Sequence, residues 1–234
     1  MSEDEPRVIR QWRFQPAPGA TEILLVRHGE SEPAVVGQSF ELHNGQSNPA
    51  LAPEGVAEAE RVGERLAGEH IDAIYVSPLR RTGQTAAPLA SRLGIKPIVD
   101  DDLREVFLGE WEGGGAFRQR VADQDEMAVR MFEEQRWDVI PGAESMDAFG
   151  QRLRNAVERI AAAHPDQRVA VFGHGAMIGE ILHQATDSRP FAFIGADNGS
   201  ISHLVVTADR WILRRFNDTS HLQPTMTTAP EPLT

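Results

Sequence analysis

Two histidines occupy nearly the same setting at distant places in the chain: Val26-Arg27-His28-Gly29 and Phe172-Gly173-His174-Gly175. Each follows a short apolar run, residues 23–26 and 169–172, that a turn signal ends. Such runs read as buried strands, and in open α/β sheets the carboxyl edge of the strands is where ligands bind. An imidazole placed there suits a nucleophile, and the adjoining Arg27 is a cation for an anionic substrate. The flanking glycine lets a ligand approach the backbone. One such histidine is weak evidence, because a strand can simply stop at a surface arginine and an incidental imidazole. Two of them, with Arg81 at a third strand–helix junction, converge if their strands are neighbours. Guanidiniums, imidazoles and helix N-termini together make an anion pocket, and a phosphoryl group fits its charge.

The elements that must position these groups alternate. Apolar runs at 23–27, 71–76, 95–99 and 169–172 read as strands, and 200–207 with 211–217 as a closing hairpin around Ala208-Asp209. Between them lie helical patterns. One begins at Pro53, with Val56, Ala59, Val62 and Leu66 as its stripe, and ends at Gly68. A second runs from Arg80 to about Leu93 before Gly94, and a later one follows Gly175 through Met177, Ile178, Ile181 and Leu182. The clearest starts at the N-cap Ser145 and carries Met146, Phe149, Leu153, Ala156, Val157 and Ile160 on one face. The expected fold is therefore α/β: a three-layer α/β/α sandwich around a mostly parallel, mixed sheet of about six strands. One domain is expected over 21–218, with a flexible arm at 1–20, which Trp12 and Phe14 would tack to the body, and a disordered tail at 219–234. Residues 32–52 read as a long loop bordering the site, as loops of that length are more often functional than idle. A helical cap insertion is expected over about 113–140, on the surface because its stripe (Ala128, Met131, Phe132, Gln135) is weak.

Composition narrows the function. The 234 residues are 41% hydrophobic and 25% charged, with a net charge of −12, which disfavours non-specific binding to nucleic acid or anionic membrane. Neither is expected as a partner. Cysteine is absent, so there is neither a disulfide nor a thiolate metal site. The N-terminus is acidic rather than secretory, and no apolar run is long enough to span a bilayer, so a cytoplasmic location is expected. The lone lysine, Lys96, follows no glycine loop, which excludes a P-loop enzyme.

Taken in order, the motifs resemble the histidine phosphatase superfamily, in the branch that holds cofactor-dependent phosphoglycerate mutases and many small phosphatases. The resemblance runs from about Ile23 to Asn217. It rests on Arg27-His28-Gly29-Glu30, the stretch from Ser77 through Arg80-Arg81-Thr82 to Gln84-Thr85, Leu103-Arg104-Glu105 ahead of Gly109-Glu110-Trp111-Glu112-Gly113, Ala143-Glu144-Ser145, and His174-Gly175. It implies that His28 is the nucleophile that becomes phosphohistidine. It further implies that Arg27, Arg81 and His174 hold the transferring phosphoryl group, and that Glu105 gives a proton to the leaving oxygen. Gly175 and Ala176 join as phosphate-binding candidates. Arg80 is expected to be exposed or substrate-facing, because Arg81 is the arginine that aligns. Glu105 must be protonated to act, so burial near carboxylates such as Glu110 and Glu112, and a mildly acidic optimum, are expected.

The chain departs from the family at two places. Many members carry an Asn soon after the Arg-His-Gly segment; here Pro33-Ala34 stands there, and Ser31, Asn44 and His43 are the candidates to replace its phosphate contact. The insertion mixes Arg118, Arg120, Arg130 and Arg136 with many acids and lacks the mutases' basic stretch. Hydrolysis of a small phosphorylated metabolite is expected ahead of mutase activity, without a cofactor, and a homodimer is a candidate assembly. The competing readings are a mutase-type phosphotransferase, a phosphate-binding regulatory protein without turnover, and a metallohydrolase, which lacks His-x-His or His-Glu-x-x-His. His70, His164, His183, His203 and His221 read as surface or helix-end residues, and Trp111 as packing for the Glu105 loop. Glu30 either orients the site or faces solvent.

Overall fold

A computed structural model describes residues 10–222 apart from 36 and 114. The first strand, β1 (Thr21–Arg27), is buried along most of its length. It leads through a two-residue hairpin, β2 (Leu42–His43) and β3 (Gln46–Ser47), to helix α1 (Pro53–Ala67). Next come β4 (Ala73–Val76), α2 (Arg80–Leu93) and a short β5 (Ile98–Val99). An excursion carries α3 (Ala116–Ala122) and α4 (Glu126–Glu134). The chain returns as α5 (Met146–Ala163), β6 (Arg168–Gly173), α6 (Gly175–Thr186) and the hairpin β7 (Ile201–Val206) and β8 (Trp211–Asp218).

The six long-range strands order as β5-β4-β6-β1-β7-β8. β5, β4, β6 and β1 are mutually parallel, whereas β7 runs antiparallel to both β1 and β8. Strand alternation divides the core into two layers. Leu24, Val26, Ala170 and Phe172 point to the face covered by Val62 and Leu66 of α1 and Ala86 and Leu89 of α2. Ile23, Leu25, Val169 and Val171 point to the other face, under Phe149, Leu153 and Val157 of α5 and Met177, Ile178 and Ile181 of α6. The expected three-layer α/β/α sandwich is the one observed. No helix among the described residues is long and apolar enough to cross a membrane.

Several local readings need correction. The 32–52 segment is not wholly loop. Asn44 and Gly45 both take positive φ (48° and 84°), the signature of a type I′ turn, and this closes the β2–β3 hairpin. On α1, Val56 is 52% exposed, and Gly55 faces inward in its place. A Cβ on Gly55 would strike the Glu30 backbone, and one on Gly29 would strike the Gly55 carbonyl. Gly29 is thus required by the start of α1, which presses on the turn after β1, rather than by a ligand. The cap is less superficial than its stripe suggested. Ala128 and Met131 are buried together with Trp137, which lies beyond the helix, while Phe132 at the edge of the stripe is 37% exposed. Phe14 sits under the Arg214 guanidinium (3.8 Å), but Trp12 is exposed. Residues 1–9 and 223–234 of the expected arm and tail lie outside the described residues; 219–222 form a turn against the body.

Ser145 caps α5 as expected, its Oγ accepting from the Ala148 N–H at 3.2 Å. Ser145→Ala should lower unfolding stability by about 1 kcal/mol. This is checked by the urea midpoint with the m-value unchanged; a midpoint that does not move would show that the cap contributes nothing.

Candidate active site

The site lies where neighbouring parallel strands send their chains to opposite faces. β1 leads to α1 on one side of the sheet and β6 leads to α6 on the other, which opens a crevice at their carboxyl ends. The register pairs Arg27 with Gly173, so His28 and His174 follow side by side. Pairing extends one bond further, from the His28 N–H to the Gly173 carbonyl (3.0 Å). The two imidazoles meet edge to face with centroids 5.2 Å apart. β4 flanks β6, and from its end Ser77 and then Arg81 on α2 reach the same place.

His28 Nδ1 lies 2.7 Å from the Gly29 carbonyl. A carbonyl only accepts, so Nδ1 carries the proton and Nε2 keeps its lone pair. Burial first, then the Arg81 and Arg27 charges, holds the His28 pKa well below its ordinary value; the ring is neutral near pH 7. His174 is likewise pushed down by burial and Arg81. Its Nε2 bonds the Ser77 hydroxyl (2.8 Å), and its Nδ1 is buried without a partner among the described residues. Arg27 donates to the Ala196 carbonyl, while its Nε has no partner among the described residues. Arg81 donates to the Ser47 carbonyl (3.0 Å), and burial pushes its pKa down to about 10, which leaves it a cation.

Glu105 lines the same cavity, and its carboxylate rests on the N-terminus of α6. It accepts from the N–H groups of Met177 (3.0 Å), Ala176 (3.1 Å) and Val106 (3.0 Å). These bonds and Arg81 favour the ionised form, but desolvation outweighs them and raises its pKa. Burial is the cause, not neighbouring acids. Glu110 is exposed, and Glu112 is turned to Ser47 and the Leu108 N–H.

The cavity, about 510 Å³, thus brings together Arg27, His28, Ser31, Arg81 and Glu105, with Gly175 and Ala176 in its wall. His174 meets His28 edge to face, fully buried. The Ala176 amide is taken by Glu105, and Gly175 lies beside the Arg27 guanidinium, where a Cβ would come within 3.6 Å of its Nε. Asn44 is not part of the cavity: it is spent on the hairpin turn, next to His43. Arg80 is exposed and pairs with Glu41 (2.9 Å). Glu30 is exposed on the rim, and Trp111 packs in the core as expected.

Three residues escaped the sequence reading. Arg118 of α3 reaches back to the Ser31 Oγ (3.0 Å) and adds a third guanidinium to the pocket. Ser77 braces His174. Arg152, buried on α5, binds both oxygens of Glu144 (2.7 and 2.8 Å) and the carbonyls of Asp102, Arg104 and Glu105 (2.6, 2.8 and 2.9 Å). The only sequence signal for it is an arginine next to Leu153 on an apolar face.

A model of the histidine phosphatase superfamily (branch 1) matches residues 23–219. Phosphoglycerate mutase-like protein 4 of Arabidopsis thaliana is 32% identical over 209 residues, 87% of this chain and 88% of that one. Phosphoserine phosphatase 1 of Hydrogenobacter thermophilus is 31% identical over 204 residues, 86% of this chain and 93% of that one. Among solved structures, the mycobacterial glucosyl-3-phosphoglycerate phosphatase superimposes with a TM-score of 0.69 at 27% identity, covering 85% of this chain and 99% of that one.

Arg152→Met should cost about 1–3 kcal/mol, because the half-buried Glu144 carboxylate loses its two short bonds and keeps only Arg104 (4.0 Å) and the Phe107 N–H (3.4 Å). Adding Glu144→Met should restore part of that stability in urea denaturation. It should not restore turnover, since the carbonyls of Asp102 and Arg104 stay without their arginine and that of Glu105 is held by Gln46 alone (2.8 Å). Full recovery of both stability and rate would assign Arg152 to packing alone.

Proposed function

The chain belongs to the histidine phosphatase superfamily (branch 1), and on that footing we propose that it hydrolyses small phosphomonoesters through a phosphohistidine on His28. The observation that carries the proposal is the Nδ1–H···O bond to Gly29, which leaves the Nε2 lone pair of a neutral imidazole beside Arg27 and Arg81. The relatives named as phosphoserine phosphatase and glucosyl-3-phosphoglycerate phosphatase support hydrolysis of this class of ester.

In the first step His28 Nε2 attacks phosphorus and the bond from phosphorus to the ester oxygen breaks. Protonated Glu105 gives its proton to that oxygen, and the alcohol leaves. In the second, the Glu105 carboxylate takes a proton from water as the water oxygen attacks phosphorus. The P–N bond breaks, neutral His28 is restored and inorganic phosphate departs. Arg27, Arg81 and Arg118 lie against the equatorial oxygens, where most of the transition-state charge resides. His174 Nδ1 is the donor that completes this set, with Ser77 fixing the ring. Ser31 and Arg118 act at the place where many relatives carry an Asn and this chain has Ala34, which packs on Gly115 of the cap.

His28→Ala should abolish p-nitrophenyl phosphate hydrolysis and the acid-labile, base-stable phosphoenzyme trapped from the wild type; equal rates would end the histidine mechanism. For pH, the active form needs His28 neutral and Glu105 protonated. The first is lost only as pH falls past an already depressed pKa, and the second is lost as pH rises past a raised one. The kcat/KM for an alkyl phosphate should therefore peak on the acid side of neutrality, and Glu105→Gln should remove the alkaline decline. A flat wild-type profile from about pH 5 to 9 would exclude Glu105 as the acid.

A further inference from the structure

The cavity is far from uniform. Its phosphate end holds the three guanidiniums and His28, but the wall beneath the cap is formed by Phe40, Leu108, Phe117, Val121 and Phe132. Helix α3 contributes Phe117 and Val121 to this wall and buries none of its residues fully. Phe117 and Val121 pack on the edge of the core, Phe117 beside Trp111 (6.2 Å) and Trp137 (6.1 Å), and their remaining surface lines the open chamber. A helix that leaves its apolar residues half-covered around a void has one face unsatisfied, and what fills the void supplies the missing contact.

The charges around the chamber agree. Arg118 is committed to Ser31 at the phosphate end. Arg120, the next cation of α3, lies over the Trp111 ring (5.2 Å) and pairs with Asp125 (3.0 Å). The Glu112 carboxylate beneath the cap already accepts from Ser47 and Leu108. No uncommitted cation faces the apolar wall among the described residues. Glu30, Glu58 and Asp197 also line the cavity, Glu58 and Asp197 near Arg27, with Arg61 as the further cation of the lining. Away from the three guanidiniums, a second anionic group on the substrate would meet the apolar wall or these acids.

We propose that the preferred substrates carry an uncharged apolar body, aryl or alkyl, on the ester oxygen, and that this body seats under the cap against Phe117, Val121 and Phe132. This rests on the phosphomonoesterase reading above. A volume of about 510 Å³ accommodates a phosphoryl group together with a ring-sized substituent. A phosphorylated glycerate would leave the apolar wall uncovered.

The test compares 2-phenylethyl phosphate with ethyl phosphate, two primary alkyl esters of similar leaving-group acidity, and with 3-phosphoglycerate. Wild type should show a kcat/KM for the phenylethyl ester at least about 10-fold above that for ethyl phosphate, the scale of burying one phenyl face. It should exceed 3-phosphoglycerate by more. In Phe117→Ala and Phe117→Leu the phenylethyl-to-ethyl ratio should fall, further in the alanine variant. A ratio measured within one protein is unaffected by partial loss of folded enzyme. Equal rates on the two alkyl esters, or a preference for 3-phosphoglycerate, overturns this proposal alone and leaves the phosphatase reading standing. Absence of turnover on every ester, p-nitrophenyl phosphate included, overturns both.

Discussion

Parallel pairing of β1 with β6 is the constraint on which everything else depends. Val26 faces Phe172 and Arg27 faces Gly173 in that register. A slip by one residue would turn Leu25 and Val171 toward the wrong helical layer and separate the two histidines. Both strands are apolar on both faces, so the hydrophobic effect acts on the register from each side of the sheet. The chemistry is thus held in place by burial of residues that never touch a ligand. The price is electrostatic: two imidazoles and two arginines are carried into a desolvated crevice, where every charge is worth more than in water.

That desolvation sorts the groups by task. It opposes the imidazolium and the carboxylate, so it keeps His28 a base and moves Glu105 toward an acid. It weakens the arginines' hold on their protons without removing it, because guanidinium starts from so high a value. One physical effect therefore prepares the proposed nucleophile, the proposed acid and their cationic cradle. The α6 N-terminus tempers it by donating to Glu105, which limits how far that pKa rises.

Much of this was legible in the sequence, for local reasons. Strand ends, glycine-flanked histidines, the Ser145 cap and the helix stops at Gly68 and Gly94 are all short-range signals. The contacts that escaped join residues far apart. Ser77 meets His174 across 97 positions, Arg118 meets Ser31 across 87, and Arg152 meets the Glu105 carbonyl across 47. Polar side chains carry no period that would announce such partners. Asn44 illustrates a different failure. Asn-Gly is a strong hairpin signal, and the informative property of Asn44 is its backbone conformation (φ 48°) and not its side chain as a ligand contact. Val56 and Gly55 show that a hydrophobic stripe is overruled where two backbones must touch.

The excursion that carries the cap leaves and rejoins the body at one point. The Glu110 N–H bonds the Pro141 carbonyl (3.0 Å), and the Glu144 N–H bonds the Phe107 carbonyl (2.9 Å). Its ends are joined by main-chain bonds that do not depend on the side chains between them. Loop-closure entropy grows only slowly with length. Segments of different length can therefore be exchanged at this neck, provided anchors like Met131 and Trp137 still reach the core. In evolutionary terms the molecule joins a fixed sheet-edge site to an interchangeable lid, and selection can retune the chamber without disturbing the strand register beneath it.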